Sequence, residues 1–320
     1  MEIEKIWDKT FSLDKRINHH KVTFKNHFGI TLVADMYEPK DYQGQLPAIA
    51  VCGPYGAVKE QCSGLYAMEM SKRGFITIAF DPSYTGESSG NPRYISSPDI
   101  NTEDYQAAVD YLRSLNNVDK EKISIIGICG WGGIAVNAAA IDPRIKVTVA
   151  STLYDMTRIA GNGYNDVEDN EESRYEQRKK LVLARDKDYK NNNYDLAGGV
   201  IDPLPLDAPQ FIKDYHAYYK TKRGYHKRSL NSNNGWCIQN NTSWLNARFM
   251  YYASEIKSAV LVVHGTNAHS YYMGKDVYKM LKGNNKKMLS IEGATHCDLY
   301  DQLSIIPFDE IEKFIKDNIK

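Results

Sequence analysis

Apolar and polar positions alternate with period two over residues 22–24 and again over 30–34, with the turn-forming stretch Asn26 to Gly29 between them. This pattern predicts an antiparallel hairpin. The texture then changes to short runs that are mostly apolar on both faces, at 47–52, 75–80, 123–128, 145–150, 259–264 and 286–291. Runs of this length, rich in Ile and Val, predict the buried strands of a mostly parallel sheet.

The spacers between these runs carry helical spacing. Residues 63–73 end at Gly74 in C-cap position, and 101–115 set Tyr105, Ala108, Val109, Leu112 and Leu115 on one face. Residues 132–140 stop before Asp142-Pro143, and Pro307 opens a last helix that buries Phe308, Ile311, Phe314, Ile315 and Ile319. Strand–helix–strand repetition predicts an α/β fold, a doubly wound, mostly parallel sheet. The rhythm breaks between about 155 and 257, where the chain is polar and rich in Asn and Tyr, with helical patches and no clear strand. An excursion of that size is read as an inserted, mainly helical lid. The expected organisation is a core over 1–155, a lid over 156–257 and the rest of the core over 258–320.

Charge narrows the partners. Forty Lys and Arg balance forty Asp and Glu, which argues against nucleic acid or an anionic membrane surface. The local basic density at Lys220, Lys222, Arg223, Lys227 and Arg228 reads as a solvated lid or loop surface. No run reaches the roughly 18 apolar residues of a membrane span, and the N-terminus lacks a signal-peptide pattern. Five cysteines without a C-x-x-C pair suit free thiols in the cytoplasm. The oligomeric state stays open.

The strongest chemical signal is Gly127-Ile128-Cys129-Gly130-Trp131-Gly132-Gly133, between a strand and a helix. A strand ending in Gly, any residue, a nucleophile and then glycines is a nucleophile elbow. It puts Cys129 on a sharp turn with the Gly130 amide free to meet developing negative charge. Trp131 stands where the elbow is normally small, so either the turn is widened or the indole walls the pocket. Gly86-Glu87-Ser88-Ser89-Gly90 matches the same string, but loop residues precede it and Asn91-Pro92 follows, so it is read as a turn.

His296, on the loop past the last strand, is the expected base. The acid partner is open: Asp155 after the strand 145–150, Asn267 as an amide substitute, or Asp276. The loop after 47–52 should supply a second oxyanion amide, and because Pro54 has none, Tyr55 is the donor. Glu60 either holds the resting thiol or pairs with Lys59.

Together, residues 53–61, 80–90, 127–137, 154–156, 223–226 and 293–300 resemble the α/β-hydrolase superfamily. They are closest to its dienelactone-hydrolase-like branch with an elbow cysteine, and to bacterial hydrolases related to fungal polyketide transferases. The resemblance implies a Cys129–His296 dyad with an acid partner and no cofactor. The expected activity is hydrolysis of a small-molecule ester or thioester through an acyl-cysteine. Trp131 and the missing aspartate near Ala268 depart from that pattern. They motivate two alternatives: a non-catalytic small-molecule binder, or an acyltransferase to an acceptor other than water.

Overall fold

The structure, a computed structural model, describes residues 3–319. In chain order its strands are β1 (Ile17–Lys25), β2 (Thr31–Pro39), β3 (Leu46–Cys52), β4 (Ile76–Phe80), β5 (Val118–Ile128), β6 (Ile145–Ser151), β7 (Ala259–Gly265) and β8 (Lys286–Ile291). They form one sheet in the order β1-β2-β4-β3-β5-β6-β7-β8. The hairpin β1–β2 and the β2–β4 pair are antiparallel; every other pair is parallel. Asn26 closes the hairpin turn, since both its carbonyl and its side-chain oxygen accept local amides, from Gly29 and Ile30.

The helices are α1 (Cys62–Ser71), α2 (Pro98–Ser114), α3 (Gly130–Ile141), α4 (Met156–Asn162), α5 (Glu171–Asn191), α6 (Gln210–Tyr219), α7 (Asn240–Leu245), α8 (Tyr271–Met280), α9 (Asp298–Asp301) and α10 (Phe308–Asn318). One hydrophobic cluster lies on each face of the sheet. Leu65, Val149, Val262 and Phe314 belong to one; Ile78, Val109, Ile125 and Ile134 belong to the other. The sheet is therefore covered on both faces, as its all-apolar central strands require. The fold is that of an α/β hydrolase.

The excursion between β6 and β7 contains α4 to α7, with a single isolated bridge, Leu196 to Cys237, among its described residues. Lys222 and Lys227 are exposed, as a solvated surface requires, but the two arginines are not. Arg223 pairs with Asp301 at 2.6 Å and donates to the Cys297 carbonyl at 2.9 Å. Arg228 pairs with Asp8 at 2.8 Å and with buried Glu60 at 2.7 Å. These cations tie the excursion to the core. Among the described residues no helix is long and apolar enough to cross a membrane.

Candidate active site

Cys129 joins β5 to α3 with φ 58° and ψ −126°, a left-handed conformation that costs a non-glycine residue about 1–3 kcal/mol. Its backbone is over-determined. The Cys129 amide donates to the Ser151 carbonyl at 3.0 Å, and the Cys129 carbonyl accepts from Gly132 at 2.8 Å and Tyr154 at 3.0 Å. Glycine is demanded at 127, where a Cβ would stand 2.0 Å from the Trp131 carbonyl oxygen. The elbow is thus strained and held from both sides.

Trp131 neither widens this turn nor walls a pocket. Its indole is buried in the core, edge-on to Phe80 at 5.6 Å and to Tyr105 at 5.3 Å. The position after Gly130 points inward on α3, so a large apolar side chain fits there where an outward one would not.

Four polar groups lie near enough to the Cys129 sulfur to act on its charge: the hydroxyls of Tyr300 and Tyr215 and the amides of Gly130 and Tyr55. Burial pushes the thiol above its ordinary value, and all four groups oppose that rise. The Tyr55 amide is positioned from the excursion. Trp236 stacks on its ring at 4.4 Å, and Asn231 donates to its carbonyl at 2.8 Å. Only 7% of the Cys129 surface is exposed.

His296 follows β8 and is buried beside this group. Its Nδ1 meets Ser270 Oγ at 2.6 Å and Thr152 Oγ1 at 3.0 Å; its Nε2 meets Tyr300 Oη at 3.1 Å. None of these partners is a carboxylate. Burial, reinforced by the neighbouring His269 and His264 rings, holds the His296 imidazole well below its ordinary value, so it is neutral. Thr152 reaches the ring from a left-handed conformation, φ 44°, which is a genuine outlier for a β-branched residue.

The three acid candidates are all engaged elsewhere. Asp155 caps α4, accepting from the amides of Thr157 at 3.0 Å and Arg158 at 3.1 Å and from the Thr157 hydroxyl at 2.7 Å. A carboxylate just ahead of a helix satisfies orphan amides first. Asn267 is exposed and donates to the Gly293 carbonyl at 3.1 Å. Asp276, on α8, pairs with Arg158 and Lys279, each at 3.0 Å. The loop after β7 does supply the ring's partner, but as the Ser270 hydroxyl. A lone serine among polar loop residues carries no sequence signal for that role, and Thr152 carries none either. Tyr300 carries only its nearness along the chain, four residues after His296.

Glu60 does not touch the thiol. It lies in a buried ionic cluster in which Lys59 Nζ contacts Glu60 at 2.7 Å, Asp81 at 2.7 Å and Glu87 at 2.6 Å. These three carboxylates are spaced as metal ligands would be, and the Lys59 ammonium lies among them. Burial would raise Glu60 and Glu87, yet the cations beside them hold both below the usual carboxylate range, Glu87 at about 2. Ser88, the serine of the second string, accepts from the Val33 amide at 2.9 Å and donates to the Asp81 carbonyl at 2.7 Å, so it fastens a turn.

Residues 29–298 match the X-Pro dipeptidyl-peptidase (S15) family. The chain belongs to that family. This S15-family chain is 47% identical to protein PA2218 of Pseudomonas aeruginosa over an alignment of 327 residues, covering 100% of this chain and 86% of that protein. The PA2218 crystal structure superposes with a TM-score of 0.96 over 99% of this chain and 98% of the other. Shorter stretches resemble two fungal proteins. Polyketide transferase claH of Penicillium crustosum is 31% identical over 134 residues, 42% of this chain and 44% of that one. Thiohydrolase aneE of Aspergillus aculeatus is 35% identical over 104 residues, 32% and 33% of the two chains. The expected kinship with α/β hydrolases and with fungal polyketide transferases therefore holds for this S15-family protein, and hydrolase-type chemistry with it.

Proposed function

We propose that this protein hydrolyses a small-molecule ester or thioester through an acyl-cysteine intermediate at Cys129. The observation that carries the reading is the strained cysteine with two backbone amides, Gly130 and Tyr55, turned on its sulfur. An attacking thiolate forms a carbon–sulfur bond and pushes the carbonyl electrons onto oxygen, and the same two amides, beside the sulfur in the free protein, then donate to that oxygen. His296 receives the thiol proton and returns it to the leaving alcohol or thiol. Water then releases the acyl group. The excursion 156–257 acts as the lid, contributing Tyr215 to the thiol and fixing Tyr55 through Trp236. Five buried free thiols suit a reducing compartment, the cytoplasm.

The test uses p-nitrophenyl acetate and an acetyl thioester of N-acetylcysteamine. A stoichiometric burst, with one acetyl group mapped to Cys129 by peptide mass spectrometry, is expected. Cys129→Ala should lose both burst and label, and His296→Ala should slow acylation by about 10²–10⁴-fold. A wild-type protein that releases no product and takes up no acetyl group refutes the proposal and leaves a binding protein.

A second reading, acyl transfer to an acceptor other than water, is favoured by one observation. The thiol is almost closed off behind tyrosine hydroxyls, a setting that excludes bulk water. Product that forms only when an alcohol or amine is added would select it.

A further inference from the structure

His296 Nε2 hydrogen-bonds to Tyr300 Oη at 3.1 Å, and the same hydroxyl faces the Cys129 sulfur. Tyr300 is thus the hydroxyl common to the imidazole and to the surroundings of the thiol. We infer that Tyr300 is a catalytic residue: its hydroxyl relays the proton from Cys129 to His296. The inference rests on the acyl-cysteine reading above and adds a group to it.

The geometry is built in by the chain. Tyr300 lies on α9, which begins two residues after His296, and the tight turn between them leaves the two ring centroids 5.4 Å apart. Tyr218 and Tyr219 of α6 pack edge-on against the Tyr300 ring at 5.1 and 6.3 Å, and the ring is fully buried. Arg223 clamps the same short helix through Asp301 and the Cys297 carbonyl. The hydroxyl therefore cannot swing away without unpacking the excursion.

The proton bookkeeping closes. With the imidazole proton on Nδ1, given to Ser270 Oγ, Nε2 offers its lone pair to the Tyr300 O–H. As that O–H bond breaks and an N–H bond forms on His296, the Cys129 S–H bond breaks and its proton restores the Tyr300 O–H. The S–H electron pair stays on sulfur. A neutral thiol and imidazole become a thiolate and an imidazolium, and the phenol ends unchanged. Collapse of the tetrahedral intermediate runs the relay backwards to the leaving group. Burial and the Cys129 charge hold the phenol well above its ordinary value, so it stays protonated and ready to donate.

Tyr300→Phe keeps the ring and removes only the hydroxyl. Two readouts separate a relay from a packing role: the pH profile of Cys129 alkylation by iodoacetamide, and a proton inventory of p-nitrophenyl acetate acylation in H2O–D2O mixtures. Expected are a bowed inventory in the wild type, with two protons in flight, and a linear one in Tyr300→Phe. The variant should also acylate about 10²-fold more slowly at unchanged KM and shift its alkylation profile to higher pH. A linear wild-type inventory overturns the relay without any variant, even if Tyr300→Phe proves unstable. A folded Tyr300→Phe that acylates within twofold of the wild type also overturns it and leaves the acyl-cysteine reading standing. A wild-type Cys129 that takes up no acetyl group overturns both.

Discussion

Two polar clusters are buried in this protein, and they differ in electrical character. Around Lys59, every partner is a full charge: Glu60, Asp81 and Glu87 on the ammonium, Lys21 on Glu87, and Arg228 on Glu60. Around Cys129, the groups that touch the thiol and the imidazole are hydroxyls and amides, with no carboxylate among them. Both clusters are held by short contacts, with a few buried atoms left over, Glu60 Oε2 and Arg228 Nε in the first and the His269 ring nitrogens beside the second. The first cannot easily exchange a proton, because each charge is stabilised by its counter-charge and removing one strands the rest. The second consists of neutral groups with adjacent donors and acceptors, through which a proton can move without leaving a bare charge in a low-dielectric interior. The ionic cluster fastens β1, the loop after β3, the end of β4, the turn at 86–90 and the excursion together; the neutral cluster is the seat of the proposed chemistry.

The largest expected break in that contrast is Lys59→Met. It leaves three buried carboxylates without their shared cation and should lower the unfolding free energy by about 3–5 kcal/mol in urea titration. A loss below ~1 kcal/mol would mean the cluster is solvated and the contrast is lost.

Acid tests the neutral side next. Burial holds His264 and His269 at about 4, below their ordinary 6.5. The unfolded chain therefore binds more protons between those values, and stability is lost as the pH falls from 6.5 through 4, by roughly 2–3 kcal/mol per ring. Asp104, raised to about 6 by burial, works in the opposite direction. Because Asp104 is common to both proteins, the measurement is a difference: His269→Phe should show a flatter decline in unfolding free energy from pH 7 to pH 4. Glu87, at about 2, loses its contribution only below 4.5. Equal slopes in wild type and variant would remove His269 from the account.

Ser88→Ala should cost about 1–2 kcal/mol, since the Val33 amide is left without its acceptor, while ester turnover stays at the wild-type rate. Slower turnover would place the second serine string in the chemistry. The smallest effect is expected from Ser270→Ala. With Thr152 still on Nδ1, acylation should slow by about five- to tenfold at constant stability, and a hundredfold loss would show that the serine orients the ring alone.

Much of this architecture is legible in the order of residues. The apolar runs mark five central strands because a buried strand must be apolar on both faces, and that composition is local; β8, expected to be buried, is instead a half-exposed edge strand, which is why Lys286, Lys287 and Ser290 are tolerated in it. Gly127 and the glycines after Cys129 mark the elbow because no side chain fits there, again a local constraint. His296 is legible from its place after the last strand. The ring's partner stays open in the sequence for a physical reason: a carboxylate looks the same there whether it caps a helix, as Asp155 does, or orients a ring. Glu60 and the basic stretch near Arg228 were ambiguous for a related reason, since ion pairs 168 residues apart leave no pattern along the chain.

What the sequence determined alone is the set of elements, the sulfur at the strand–helix bend and the absence of an aspartate in the loop after β7. Those follow from steric and hydrophobic rules acting over a few neighbouring residues. Only the tertiary structure decided what meets the imidazole. Thr152 from the end of β6, Ser270 from the loop after β7 and Tyr300 from α9 are brought to one ring, and their hydroxyls meet it through distances of about 3 Å that no spacing along the chain encodes.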